Sequence, residues 1–278
     1  MEKGVNLAIA KWAGGKRQLL SQLEPLFPKK FNNYHEPFVG GGAVAFYIIK
    51  TKKPKKFFLS DINEELINVY EVVKDNLEEL IDLLKIYKIK HTKQGKEFYT
   101  KVRSEDIEIM SKLSRAARFI YLNRTCFNGL YRVNSSGQFN VPIGSYKNPD
   151  IIQEEKLKKI SKLLQDVTIK VMPFEKVLNL VKKDDFIYFD PPYYPLKAGK
   201  SFTTYTKDKF LEEEQKLLAD VFKKLDQKGC SVMLSNSDTL FVKELYGNYN
   251  VSTVKAKRLI NSQANGRGEI NEIIVRNY

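Results

Sequence analysis

Histidine and cysteine are nearly missing from this 278-residue chain, which has two of each. His35 and His91 are too few for a zinc site, and no C-x-x-C knuckle occurs, so no metal is expected. Cys126 and Cys230 lie far apart, which excludes a disulfide framework and fits a reducing compartment. No histidine stands near Cys126 in sequence, so a cysteine nucleophile is not indicated. No apolar run reaches the length of about 20 residues that spans a bilayer. The N-terminus also lacks the apolar core of a signal peptide, and the expected location is the cytoplasm. Acid is in short supply as well: 33 Asp and Glu stand against 47 Lys and Arg, a formal net charge of +14. Such an excess suits a polyanionic partner, with nucleic acid first. Lysine runs such as KTKKPKK at 50–56 also suit a solvated loop, so charge alone leaves both readings open.

What is present is a globular composition, 42% hydrophobic and 29% charged, long enough for a large core. There is no internal repeat. Residues 34–49, YHEPFVGGGAVAFYII, read as a strand, a glycine turn and an apolar helix. FFLSD at 57–61 reads as a second strand that ends in an acid, followed by a helix start in DINEELINVYEVV. This βαβα opening predicts a parallel sheet. From about residue 85 to 148 the character changes. A helix is expected near 110–123, then a hairpin in which LYRVN and QFNVP flank Ser135, Ser136 and Gly137. After residue 150 the alternation resumes with a helix at 154–164, the strand VTIKVM, helical residues 174–180 and the strand FIYFD. A long helix at 211–225, the strand CSVMLSN and two antiparallel strands, NVSTVKA and NEIIVRN, complete the reading. Between those last strands a glycine-bearing loop is expected at 261–268.

Two constellations carry chemistry. In EPFVGGG, Gly40 and Gly42 supply the first two glycines of a G-x-G-x-x-G pattern, with Ala45 at the third. Asp61 lies about 20 residues on, where such motifs place the acid that binds a ribose. This pattern supports a nucleoside-type cofactor without fixing its identity. In FDPPYYPL, the strand delivers Asp190 to its carboxyl end. Pro191 and Pro192 have no N–H, so the Pro191 carbonyl can face the pocket without a competing local donor. A carboxylate and a carbonyl side by side form a two-acceptor clamp suited to an exocyclic NH2, and Tyr193 offers a face on which a planar base can stack.

The order of the pieces KWAGGKRQLL, EPFVGGGAV, SDIN, CFNGLYR, FNVPIGSYKNP, FDPPY and SNSD resembles the DNA N6-adenine methyltransferases of the Dam group, which modify the adenine of GATC. The resemblance spans nearly the whole chain. It implies an α/β, Rossmann-like methyltransferase sheet, mostly parallel with a terminal antiparallel strand. It also implies a mainly helical target-recognition insert bearing a β-hairpin. The implied division is residues 1–61 and 149–278 for the catalytic domain and 62–148 for the insert. S-adenosylmethionine would be the methyl donor and S-adenosylhomocysteine the product, with no metal. By position, Trp12, Lys16, Asp61 and Asp190 would contact the cofactor. Phe38, Gly40 and Gly42 would form the turn beside its amino-acid moiety, and Phe174 would lie near its adenine. Met172 and Pro173 precede Phe174 where an acid is expected, a departure that bears on that contact.

For the insert, the resemblance implies that Arg132 reads the guanine and that Leu130 and Pro142 contact a thymine methyl. Tyr146 would touch the outer pair. Phe127 and Asn128 would fill the gap left by a flipped adenine, and Asn140 would join the DNA-facing set. Arg124, like Arg115 and Arg118, is placed at a phosphate or on an ordinary charged face. The catalytic set is Asp190, Pro191, Pro192 and Tyr193. The expected partner is double-stranded DNA containing GATC, which implies nucleoid association. Any cognate restriction endonuclease would be linked only genetically. Methylation of RNA adenine or cytosine N4, and a catalytically silent DNA-binding regulator, stay open. A nicotinamide-dependent dehydrogenase conflicts with the proline-rich strand end and the basic charge.

Overall fold

The computed structural model describes residues 7–196, 210–257 and 269–278. The loop expected at 261–268 lies outside them. Among the described residues the strands are β1 (Tyr34–Glu36), β2 (Phe57–Asp61), β3 (Val167–Val171), β4 (Phe186–Phe189), β5 (Ser231–Ser237), β6 (Asn250–Lys257) and β7 (Glu269–Arg276). They form one sheet in the order β3-β2-β1-β4-β5-β7-β6. The pairs β1–β2, β1–β4, β2–β3 and β4–β5 are parallel, and β7 runs antiparallel between β5 and β6. This is the mostly parallel, Rossmann-like sheet that the sequence predicts. The helices are α1 (Leu20–Leu23), α2 (Ala43–Thr51), α3 (Glu64–Asp75), α4 (Leu77–Gln94), α5 (Lys96–Ser104), α6 (Lys112–Thr125), α7 (Glu154–Leu164), α8 (Glu212–Gln227) and α9 (Leu240–Leu245).

Both faces of the sheet are covered, which is why the central strands read as continuous apolar runs. Along β4 the side chains alternate: Phe186 and Tyr188 join the larger core with Tyr34, Phe46, Leu66 and Tyr121, while Ile187 and Phe189 join the smaller one with Leu218, Phe222 and Tyr246. All four β4 side chains are fully buried. At about 25 cal/mol per Å2 of apolar surface, each large side chain so buried contributes roughly 1.5–3 kcal/mol before entropy is subtracted.

Helix α3 begins where the sequence predicts. The Asn63 side chain accepts from Leu66 N at 3.0 Å and so caps the first turn, while Asp61 Oδ1 accepts from Asn63 N at 3.0 Å. Within residues 62–148, α3 packs on β2, β3, α6 and α7, and α4 packs on α5 and α6, so these helices continue one core with the sheet. Helices α4 and α5 bury Leu80, Ile81, Leu84, Tyr87, Phe98, Tyr99 and Val102 at helical spacing, within the stretch expected to be mainly helical but without individual helices placed there.

The expected hairpin is narrow. It has one antiparallel bridge, Val133 to Phe139, rather than a ladder of several pairs. Backbone bonds flank it, Asn134 N to the Gln138 carbonyl at 2.9 Å and Asn140 N to the Arg132 carbonyl at 3.0 Å, and the Asn134 side chain fixes the turn by accepting from Ser136 N at 3.0 Å and Gln138 N at 2.9 Å. A second bridge, Cys126 to Ile143, brings the two arms together at their base.

Candidate active site

The strand order reverses between β1 and β4, which opens a crevice at the carboxyl ends of these strands. The turn after β1 enters it with Gly40 at φ +47° and Gly42 at φ +77°. Space adds to this conformational demand. A Cβ on Gly40 would stand 2.7 Å from Cδ1 of Trp12, and one on Gly42 would stand 2.5 Å from the Tyr70 hydroxyl. Asp61, at the end of β2, is buried, and its Oδ2 accepts from Gly40 N at 3.1 Å. Burial pushes the Asp61 carboxyl up to about 6, against the pull of the backbone N–H groups of Asn63 and Gly40.

Asp190 follows β4. Its Oδ1 takes the ammonium of Lys16 at 2.8 Å, and Lys16 also donates to the Gly14 carbonyl at 2.6 Å. The same ammonium lies 4.7 Å from the centre of the Tyr193 ring. Burial raises the Asp190 carboxyl to about 6; Lys16 opposes that shift and Glu272 adds to it. Glu36 is buried beneath them, takes the Tyr34 hydroxyl at 2.6 Å, and is held well above the usual carboxylate range, chiefly by burial. The turn through the two prolines is braced from below. Gln215 Nε2 donates to the Pro192 carbonyl at 3.1 Å, and Asn236 Nδ2 donates to Gln215 Oε1 at 2.9 Å. Asn236 Oδ1 in turn accepts from Tyr194 N at 3.3 Å. The SNSD segment therefore supports the turn that carries Asp190.

Phe38 and Phe174 stack on each other with ring centres 5.3 Å apart, and Phe210 meets both edge-on. One face of Phe174 is thus already taken, and Phe210 joins the pair from outside any motif. Met172 N donates to the Asp61 carbonyl at 3.1 Å, so the departure before Phe174 is tied by backbone to the end of β2. Trp12 stacks on Tyr131 with centres 5.7 Å apart, and Tyr131 stacks on Phe119 at 5.0 Å.

Phe127, Asn128, Arg132, Asn140, Pro142 and Tyr146 are exposed, and Leu130 is half-buried. Phe127 keeps 50% of its surface and Tyr146 39%, large values for aromatic side chains on a folded face. Phe127 N donates to the Pro142 carbonyl at 2.8 Å, and Arg132 Nε donates to Asn140 Oδ1 at 2.7 Å. Lys11 Nζ lies over the Tyr146 ring at 4.5 Å, and buried Asn123 joins the Lys11 backbone to the Gly129 carbonyl. Arg124 sits differently from the rest of this set. It is buried, donates to the Ile9 carbonyl at 3.3 Å, and loses basicity through burial. Arg118 is likewise buried and donates to the carbonyls of Val102 and Arg103, while Arg115 pairs with Glu65.

The crevice offers a buried carboxylate for a diol or an ammonium, a glycine turn without Cβ atoms and a cluster of aromatic rings. These fit the ribose, the amino acid and the adenine of S-adenosylmethionine, with Asp61, the Gly40–Gly42 turn and the Phe38 and Phe174 rings as the groups that would hold it.

Known proteins resemble this chain in sequence over nearly its whole length. It is 47% identical to the Type II methyltransferase M1.LlaDCHI of Lactococcus lactis subsp. cremoris, over 96% of this chain and 94% of that one. It is 46% identical to the Type II methyltransferase M.MjaIII of Methanocaldococcus jannaschii, over 96% and 98%. To the DNA adenine methylase of Escherichia coli K12 it is 34% identical, over 97% and 94%. Residues 12–260 match the D12 class N6 adenine-specific DNA methyltransferase family. With that match across most of its length, the chain belongs to the D12 class of N6 adenine-specific DNA methyltransferases.

Proposed function

We propose that this adenine-N6 methyltransferase acts on GATC in duplex DNA and flips the target adenine onto Tyr193. The observation that carries the reading is the place of the Lys16 ammonium. One nitrogen bearing N–H donors is met at once by Asp190 Oδ1 at 2.8 Å and by the Tyr193 ring at 4.7 Å. An exocyclic amine needs the same two partners. When bound, S-adenosylmethionine supplies an electrophilic methyl group and leaves as S-adenosylhomocysteine. Asp190 and the Pro191 carbonyl accept hydrogen bonds from the two amine N–H groups and draw the nitrogen lone pair out of conjugation with the ring; as the N–CH3 bond forms, one of the two protons leaves the nitrogen, by way of Asp190, to solvent. The Tyr193 face fixes the plane of the base. Lys16 keeps Asp190 ionised and in place until the amine replaces it. Positioning and electrostatics thus supply the rate, with no covalent enzyme intermediate and no metal.

The exposed face carries recognition. Arg132, steadied by Asn140, reads guanine. Leu130 and Pro142 meet thymine methyls, Tyr146 meets the outer pair, and Phe127 with Asn128 fills the vacated stack. Arg124 acts from beneath this face, bracing the segment at Ile9. The Type II names of two relatives support a role in a modification system, with an endonuclease linked only genetically.

The test is transfer of labelled methyl to two short duplexes, one with a single GATC and one scrambled, followed by nucleoside analysis. N6-methyladenine in the first alone supports the reading. Equal labelling of both overturns the GATC assignment.

The activity should depend on pH with a definite sign. Asp61 and Asp190 titrate at about 6 in the folded protein. Both must be ionised to accept hydrogen bonds, so kcat/KM is expected to fall as pH drops through 6. Stability should move the other way. The folded state holds protons that the unfolded state releases near pH 4, so the free protein loses stability as pH rises from about 4 to 6. Paired pH–rate and pH–melting profiles check both signs.

A further inference from the structure

Tyr193 lies in the segment after β4, outside helix and sheet. Its ring must therefore be set by what touches it. Its hydroxyl donates to Glu272 Oε2 at 2.7 Å. Glu272 is only 7% exposed and sits on β7, paired with Ser237 of β5 on one side and Val254 of β6 on the other. The carboxylate is thus fixed by a strand held on both flanks. The bond grips the ring at its edge, while the Lys16 ammonium lies over the face, 4.7 Å from its centre. Lys16 Nζ, 4.0 Å from the same oxygen, balances its charge. A buried carboxylate is a weak way to gain stability, because desolvation offsets much of the attraction. What it gives here is a fixed position for the ring.

We infer that Glu272 is a positioning residue for methyl transfer, setting the Tyr193 ring through the bond to its hydroxyl. The inference rests on the reading of Tyr193 as the platform for the target base. Glu272 reaches the site from 79 residues away in sequence, on the antiparallel strand at the far end of the chain.

The test compares E272L, E272Q, Y193F and the double variant Y193F/E272L by single-turnover transfer at saturating cofactor and by KM for duplex. E272L is expected to lower the rate constant about 100-fold, the scale of a misplacement near 1 Å, with little change in KM. Y193F should lose a similar factor, and the double variant should lose no more than the worse single one. E272Q keeps an acceptor and should recover most of the rate. If E272Q fares as badly as E272L, or if the two single losses multiply in the double variant, the inference is overturned. Wild-type rate in Y193F overturns it too, and stands even if E272L fails to fold. A wild-type rate in Y193A is a separate result: it removes the platform reading itself.

Discussion

Replacing Asp190 with asparagine is expected to lower the single-turnover rate of methyl transfer by about 100- to 1,000-fold, the range seen when one preorganised polar group is lost. Asparagine matches aspartate in shape, so the turn held by Gln215 and Asn236 should survive. It turns one acceptor into an NH2 donor that faces the incoming amine, and it takes the partner at 2.8 Å from Lys16. A buried ammonium left with the neutral Gly14 carbonyl at 2.6 Å and no carboxylate nearer than Glu272 at 4.0 Å is poorly compensated, so some loss of stability should accompany the loss of rate. Duplex affinity should change little, because binding to DNA draws chiefly on phosphate contacts elsewhere on a chain of net charge +14. Single-turnover assays at saturating cofactor, with gel-shift titration of the same duplex, separate these effects. Equal losses in binding and in rate would assign Asp190 to docking the DNA rather than to the transfer step.

The second large effect is expected in selectivity. Arg132→Ala should reduce the preference for GATC over a site altered at the guanine by about 5- to 150-fold, the equivalent of 1–3 kcal/mol for a bidentate arginine–guanine contact. The rate on the altered site should hardly move. Arg132 is exposed; its Nε donates to Asn140 Oδ1 at 2.7 Å and one terminal nitrogen donates to the Asn140 carbonyl at 3.3 Å, so a forked contact to guanine takes the place of the longer bond. The measurement is kcat/KM on GATC and on each single-base variant. A uniform drop across all sequences, with a shallower dependence on salt, would place Arg132 on a phosphate instead.

The parts of this architecture that sequence made legible are local in the chain. FIYF and FFLSD are short apolar runs buried on both faces, and such strands need no partner to be recognised. Asp61 and Asp190 end those strands, and the Gly40–Gly42 turn follows a third, so all three show themselves within a few residues. Helices α5 and α9 escaped placement because they are short and their apolar positions are few, and α4 because charged residues are scattered along its 18 residues. The supports of the site escaped for another reason. Gln215 reaches Pro192 across 23 residues, Asn236 reaches Tyr194 across 42, and Asn123 reaches Lys11 across 112. A polar residue that braces a turn from such a distance looks, in sequence, like any other polar residue. The burial of Arg124 was hidden in the same way: its neighbours along α6 gave no sign that Ile9 would lie against it.

Trp12 is the chain's one tryptophan. Its indole packs against the Gly40 turn on one side and on Tyr131, next to Arg132, on the other. The protein therefore carries a built-in fluorophore between the glycine turn and the segment that bears Arg132, the two places where the proposed reading puts cofactor and duplex. Its emission reads out a single environment without labels or subtraction, and the same signal can be followed while cofactor and duplex are added in either order.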